Sequence, residues 1–258
     1  LGIVSNKGVE LNLKWNHKIN SFRYWTNLNV SYAKNKIVYQ DEVPSEYTYT
    51  LKTGHPVGQP FGLKVRGFYY EGMEDVADHS YVLKEGDVVY EDLNHDGKID
   101  DNDKTAIGYP SYPLLNAGLT LGFEYKGFDF SAFFQGSVGN DLLNIVKYDL
   151  YGGVGWYNAP KDILTTFWNG PGSTNENFAI DADSRLNREM SEWFVENGSY
   201  VRLKNLQIGY TIPSSITKKI TLNNLRVFVA AQNLFTITGY SGLDPEIGEF
   251  NQNPIYKG

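Results

Sequence analysis

Asn116-Ala117-Gly118-Leu119-Thr120-Leu121-Gly122-Phe123-Glu124-Tyr125-Lys126-Gly127-Phe128-Asp129-Phe130-Ser131-Ala132-Phe133-Phe134-Gln135 reads as a β-hairpin. Ala117, Leu119, Leu121, Phe123 and Tyr125 alternate with Asn116, Gly118, Thr120, Gly122 and Glu124. A period of two is that of an extended strand, whose successive side chains take opposite faces. Lys126-Gly127 suits a two-residue turn. Beyond it Phe128, Phe130, Ala132 and Phe134 alternate with Asp129, Ser131, Phe133 and Gln135.

The same unit recurs on either side. Upstream, Val9, Leu11, Leu13 and Trp15 alternate with Glu10, Asn12, Lys14 and Asn16. After the polar stretch His17 to Asn20, a second strand places Phe22, Tyr24, Thr26, Leu28, Val30 and Tyr32 in phase. Downstream, Val201 and Leu203 share one phase, but Leu206, Ile208, Tyr210 and Ile212 take the other, so a β-bulge is expected at Lys204-Asn205. Leu225, Val227, Val229 and Ala231 mark the last strand. The expected strands lie near 9–16, 22–33, 116–125, 128–136, 200–212 and 225–237, as three hairpins.

Composition narrows the class. The 258 residues include 19 Tyr, 14 Phe and 26 Gly, which favour strands and turns over helices. There is no Cys, hence no disulfide framework and no thiolate chemistry. A net charge of −7 excludes the basic stripe of a nucleic-acid surface. No run approaches the ~18 apolar residues of a transmembrane helix, which leaves a membrane β-barrel open. No targeting segment follows Leu1, so a signal peptide would lie outside these residues.

Alternation alone fits either a soluble β-sandwich or a membrane barrel. The connections separate them. Links within pairs are short, whereas 38–113 and 137–199 are long, and loops of more than ~15 residues are uncommon in compact soluble domains. Short turns at one end and long loops at the other are the wiring of outer-membrane barrels. Trp15, Phe22, Tyr24, Phe123, Tyr125 and Phe128 gather near the short turns, where an interfacial girdle would sit. Six strands cannot close, since single-chain barrels begin at about eight. The expected fold is all-β: an antiparallel transmembrane β-barrel fragment with long extracellular loops.

Several motifs resemble one family. They are Asp87 to Asp103 followed by Thr105 to Pro110, Tyr125-Lys126-Gly127-Phe128-Asp129 with Phe134-Gln135-Gly136, and Asn197 to Asn205 ending in Gly209-Tyr210. Leu225-Arg226-Val227, Gln232 to Thr236, Tyr240-Ser241-Gly242 and Asp244-Pro245-Glu246 complete the series. Their order and content resemble the SusC/RagA TonB-linked outer-membrane proteins over most of Val9 to Glu246. The resemblance implies the C-terminal portion of a barrel of about 22 strands with a plugged lumen, in the bacterial outer membrane. It implies energised import of oligosaccharides or peptides with a SusD-like surface lipoprotein as lid. Contact with the TonB complex would run through regions outside this chain. The family's plug and its final aromatic-terminated strand have no counterpart in these residues.

The sharpest chemical motif is Asp92-Leu93-Asn94-His95-Asp96-Gly97-Lys98-Ile99-Asp100-Asp101-Asn102-Asp103. It follows the twelve-residue calcium loop at positions 1, 3, 5, 6, 9 and 12. Asp92, Asn94 and Asp96 would offer side-chain oxygens, Lys98 its carbonyl, Asp100 a ligand through water and Asp103 the last carboxylate. Gly97 permits the sharp turn. Val88-Val89-Tyr90 before it reads as a strand, so a structural clip is expected rather than a helix-flanked sensor.

No catalytic set emerges. The four His, at 17, 55, 79 and 95, have neither metal-ligand nor general-base spacing. Acid pairs such as Asp181/Asp183 or Glu71/Glu74 are what 30 carboxylates produce by chance. The glycine runs Gly152-Gly153-Val154-Gly155 and Gly67 to Gly72 precede no phosphate-binding helix. Short helices are expected over Pro160–Trp168 and Arg185–Trp193. Tyr151, Trp156, Tyr157 and Trp168 could stack on sugars, pack on a partner, or fill the loop's own core. The rival function is a secreted calcium-dependent carbohydrate-binding β-domain, with the same strands and loop but folding alone in water.

Overall fold

The computed structural model describes residues 1–151, 160–173, 176–180 and 186–246. Six long strands form one sheet: β1 (Ile3–Ile19), β2 (Phe22–Tyr39), β3 (Leu115–Tyr125), β4 (Phe128–Val138), β5 (Tyr200–Thr211) and β6 (Arg226–Thr238). Each pairs antiparallel with the next in sequence, so the sheet is a meander in the order β1 to β6.

Register aligns the alternation of every strand. Leu13 lies opposite Leu28, which lies opposite Leu119, then Phe134, then Leu203, then Phe235. Directly paired residues share a face, so one face is apolar across all six strands. The other carries Asn12, Asn29, Gly118, Gln135, Gln207 and their neighbours. No second layer covers the apolar face among the described residues. Leu13 is 52%, Ile208 49% and Val229 74% exposed. In water such a face would aggregate; in a bilayer it is the required outer surface.

The expected bulge is present. Lys204 has no partner in the register on either side, between Leu203 and Asn205. The extra residue lets Arg202 and Lys204 both reach the same acidic segment, while Leu206, Ile208 and Tyr210 return to the apolar face.

Two readings from sequence need correction. β1 and β2 run well past 9–16 and 22–33, and their link is the two-residue turn Asn20–Ser21 rather than about five residues. A tilted strand crosses the hydrocarbon in about 9–11 residues, so 17- and 18-residue strands project beyond it. There Lys34 and Lys36 stand on one face while Ile37 on the other is buried and bonded to His55 and Gly54, so the alternation that identifies strands from sequence fades. Arg185–Trp193 is not a helix: its described part holds single 3-10 turns at Leu186–Arg188 and Glu192–Phe194. The Met190 carbonyl instead accepts the Leu63 amide at 2.8 Å, and Ser191 is fully extended. Within Pro160–Trp168 only Ile163–Thr166 is α-helical.

Candidate functional site: outer loops and polar wall

The short turns lie at one end of the sheet and both long segments at the other. The long segments do not behave as separate loops. Leu63, Phe68, Val88, Tyr90 and Ile99 from the first pack with Trp168 and Phe178 from the second in one hydrophobic cluster. Backbone bonds join the two: Leu63 N–H to Met190 O, Glu192 N–H to Leu63 O and Ala179 N–H to Gly86 O, at 2.8, 3.1 and 2.9 Å. Asn187, 1% exposed, accepts the Val88 amide and donates to the Asp87 carboxylate. The product is one folded module at the end of the sheet opposite the short turns.

The twelve-residue acidic loop lies on this module, directly after the strand Val88–Tyr90. Asp92 Oδ2 accepts the Gly97 amide at 2.8 Å; Asn94 Oδ1 accepts from Asp96, and Asp96 Oδ1 from Lys98. Gly97 has φ +84°, where a glycine is favoured. Asp103 is fully buried, its two oxygens holding the amides of Leu93 and Asp100 and so closing the loop end to end. Asp100 Oδ1 accepts the Asn102 amide and caps the 3-10 turn Asp101–Asp103. Lys98 is exposed, and so is His95, at a non-ligand position. Among the described residues, no three His, Asp or Glu side chains converge closely enough to hold an ion in this arrangement. The loop does contain one buried oxygen without a partner, Asp92 Oδ1.

His79 links the loop to the core. It is 3% exposed; Nδ1 lies 2.7 Å from the Ala77 carbonyl, and Nε2 accepts the Tyr90 amide at 3.0 Å. That pair of bonds defines a neutral ring with the proton on Nδ1. Burial lowers its pKa below the ordinary value and outweighs the nearby carbonyl and Asp78, which act the other way. Tyr90, stacked on it, has its phenol pushed up by burial.

A second polar centre joins wall to module. Arg202, 4% exposed, donates to Asp244 Oδ1 (2.6 Å), Glu246 Oε2 (2.7 Å) and Thr236 Oγ1 (2.7 Å). Lys204 adds two bonds to Glu246 at 2.8 and 2.9 Å. Three residues before Asp244, Ser241 binds Glu196, which also lies 3.2 Å from Asn144 and 3.8 Å from Lys147. The segment following β6 is therefore fastened to both β5 and the second long segment. Lower on the polar face, Arg226 makes a two-pronged bond to Asp129 over Gly209, and Trp25 lies against Gly122. A β-carbon at Gly209 would fall 2.6–2.7 Å from the Asp129 oxygens.

Near the short turns, ring contacts link Trp15, His17, Tyr24, Phe22, Phe123 and Phe130 at centroid separations of 5.2–6.2 Å, with Phe128 on Tyr210 at 4.5 Å. The rings lie where the girdle is expected, as one linked set over β1 to β4 and a separate pair between β4 and β5.

No protein-family model matches the chain. It is 33% identical over 98% of its length to the TonB-dependent receptor P3 of Formosa agariphila, and 30% identical over 62% to the TonB-dependent receptor SusC of Bacteroides thetaiotaomicron. The chain belongs to the SusC/RagA-type TonB-dependent receptors. Its fold is similar to that of the RagAB peptide transporter, with TM-score 0.73 at 23% identity, covering 96% of this chain and 27% of that one. The RagAB peptide importer in its open-open state gives 0.72 at 22%. The chain spans about a quarter of the length of P3 (26%), and its match covers 15% of SusC. The relatives are receptors rather than enzymes, and the receptor family resides in the outer membrane. In such a barrel the apolar face of β1 to β6 fits the lipid side and the polar face the lumen side.

Of the loop aromatics, Trp168 is buried in the module's core. Tyr151 donates to Asp162 at 2.7 Å and packs edge-on to Trp193. Trp156, Tyr157 and the pair Asp181/Asp183 lie outside the described residues. Sequence reasoning missed the Arg202–Asp244–Glu246 centre, although all three residues stood in the motifs that carried the family resemblance.

Proposed function

We propose that this chain is the wall and outer-loop portion of an outer-membrane importer that takes up oligosaccharides or peptides by TonB-coupled transport. The partner is a SusD-like surface lipoprotein seated on the outer module, and energy coupling runs through parts of the receptor beyond these residues. The observation that carries this reading is a single sheet with one uncovered apolar face and one polar face among the described residues, with a folded module at one end. Binding and passage need no bond chemistry, and the chain is not read as an enzyme. A secreted carbohydrate-binding domain is disfavoured because its strands would need a second layer over Leu13, Ile208 and Val229.

Calcium in the acidic loop is part of the proposal. Hard oxygens suit a hard cation, and the buried, unpartnered Asp92 Oδ1 is the atom such an ion would satisfy. Asp92, Asn94, Asp96, the Lys98 carbonyl, Asp100 and Asp103 would hold it, and the ion would stiffen the module rather than act on cargo.

The test is deletion of the receptor gene in the producing bacterium, with growth on single oligosaccharides and on peptides as sole nutrient. Loss of growth on one such cargo, restored by the intact gene, supports the reading. Unchanged growth and uptake on all of them would refute it. Affinity isolation of the tagged receptor should bring down a surface lipoprotein.

A further inference from the structure

Lys7 and Lys34 are directly opposed on β1 and β2, and Lys36 lies opposite Ser5 two pairs further out. Their phase is that of Val9 and Tyr32, so all three point outward from the barrel. All are exposed, and none makes a hydrogen bond or ion pair among the described residues. Like charges directly opposite on neighbouring strands destabilise a sheet. Acids nearby do not relieve them. Glu10 is on the other face, Glu42 is occupied by the amides of Lys52 and Thr53, and exposed Asp41 lies beyond the end of β2.

Position gives the cluster its meaning. From Phe22 in the girdle to Tyr32 is ten residues of β2, about 33 Å of strand. At a tilt of ~40° that is a height of ~25 Å, the height of a barrel's apolar band. Lys34, two residues further, therefore sits just outside the hydrocarbon, at the level of the outer-leaflet headgroups. The outward residues at the corresponding ends of β3 to β6 are Leu115, Val138, Val201 and Ile237. Among the six described strands the positive charge is local to β1 and β2.

We infer that Lys7, Lys34 and Lys36 form a binding site for the phosphorylated headgroup of an outer-leaflet lipid. The lipid's acyl chains would lie along Val9, Leu11, Val30 and Leu28 below it. The inference rests on the outer-membrane reading of the apolar face.

Native mass spectrometry of the full-length receptor, released from nanodiscs containing phosphorylated lipid A or its dephosphorylated form, tests the site. The wild type should retain the phosphorylated lipid, and K7S/K34S/K36S should retain it at least about tenfold less, the scale set by three basic side chains at an anionic surface. Inorganic phosphate should not displace it. Equal retention by wild type and variant, or retention independent of the lipid phosphate, would overturn the site. Displacement by inorganic phosphate would also overturn it, in favour of a free-anion site. Heat-modifiable gel migration reports barrel integrity separately: its absence in the wild type would refute the membrane placement, and the lipid site with it.

Discussion

Trp168, carried on the second long segment, packs against the α-carbon of Gly86 on the first: a β-carbon at 86 would lie 2.5 Å from Trp168 Cε3. Gly86 also has φ +86°, a conformation that other residues adopt reluctantly. The two outer segments meet at this point with no room between them. Their union into one module depends on that close approach.

Gly86→Ala should therefore loosen the module by about 1–3 kcal/mol through overpacking, with further strain from the backbone. Limited proteolysis of the receptor in its membrane should show faster cutting between Tyr39 and Leu115, while heat-modifiable migration of the barrel stays unchanged.

Acid should weaken the same module through His79. Its folded-state pKa lies below that of a free imidazole, about 6.5, so the unfolded module takes up the proton more readily. The contribution of neutral His79 is full above that value and is lost as pH falls below it toward the lowered folded pKa. Protonation of Nε2 would also remove the acceptor of the Tyr90 amide. Hydrogen exchange at Tyr90, corrected for intrinsic rates, should accelerate from pH 7.5 to pH 5.5, and His79→Gln should flatten that dependence.

The face assignment predicts graded costs along the hairpin β3–β4. Leu121 lies near the middle of the apolar band, so Leu121→Arg should cost about 2–4 kcal/mol. Phe130 lies closer to the girdle, and Phe130→Arg should cost less. Arg at Thr120 or Ser131, on the lumen face, should cost least. Equilibrium unfolding of the refolded receptor ranks the four; equal costs would contradict the facing.

Removing Arg202 should free the segment after β6. Arg202→Met removes the guanidinium from two largely buried carboxylates, Asp244 and Glu246, and taking one partner from a buried ion pair is destabilising. Protease sites between Gly239 and Glu246 should become accessible, while Lys204→Met should have a smaller effect.

Chelation tests the acidic loop. Terbium luminescence should titrate into the receptor and be displaced by calcium, and Asp92→Ala should abolish the signal. A wild-type receptor that gives no signal would leave the loop as a turn held by its own amides.

Strands were legible in sequence where each face met a different solvent. Leu119 and Thr120 alternate because one meets lipid and the other the lumen, and even the bulge at Lys204 appears as a phase slip. Lys34, Asn35 and Lys36 carry no such contrast, since lysines stand on one side of β2 there and Asn35 on the other bonds the Val57 amide, and the strand's true length was hidden. The module was hidden for another reason. Leu63 pairs with Met190 across more than a hundred residues without periodicity, and no local pattern encodes such a contact. The acidic loop stood out because short-range Asx turns fix it, and those depend only on spacing. Its closure through buried Asp103 was visible as a residue but not as a clamp.

The central claim is that β1 to β6 are a barrel wall with lipid on one side. Single cysteines at Leu119, Thr120, Leu121 and Glu124, in an otherwise cysteine-free receptor in native outer membrane, test it most directly. The account predicts that a lipid-soluble thiol probe labels positions 119 and 121, and that a membrane-impermeant one, added after permeabilisation, labels 120 and 124 only. Equal labelling of all four by the water-soluble probe would mean that the apolar face meets water, and would contradict the account.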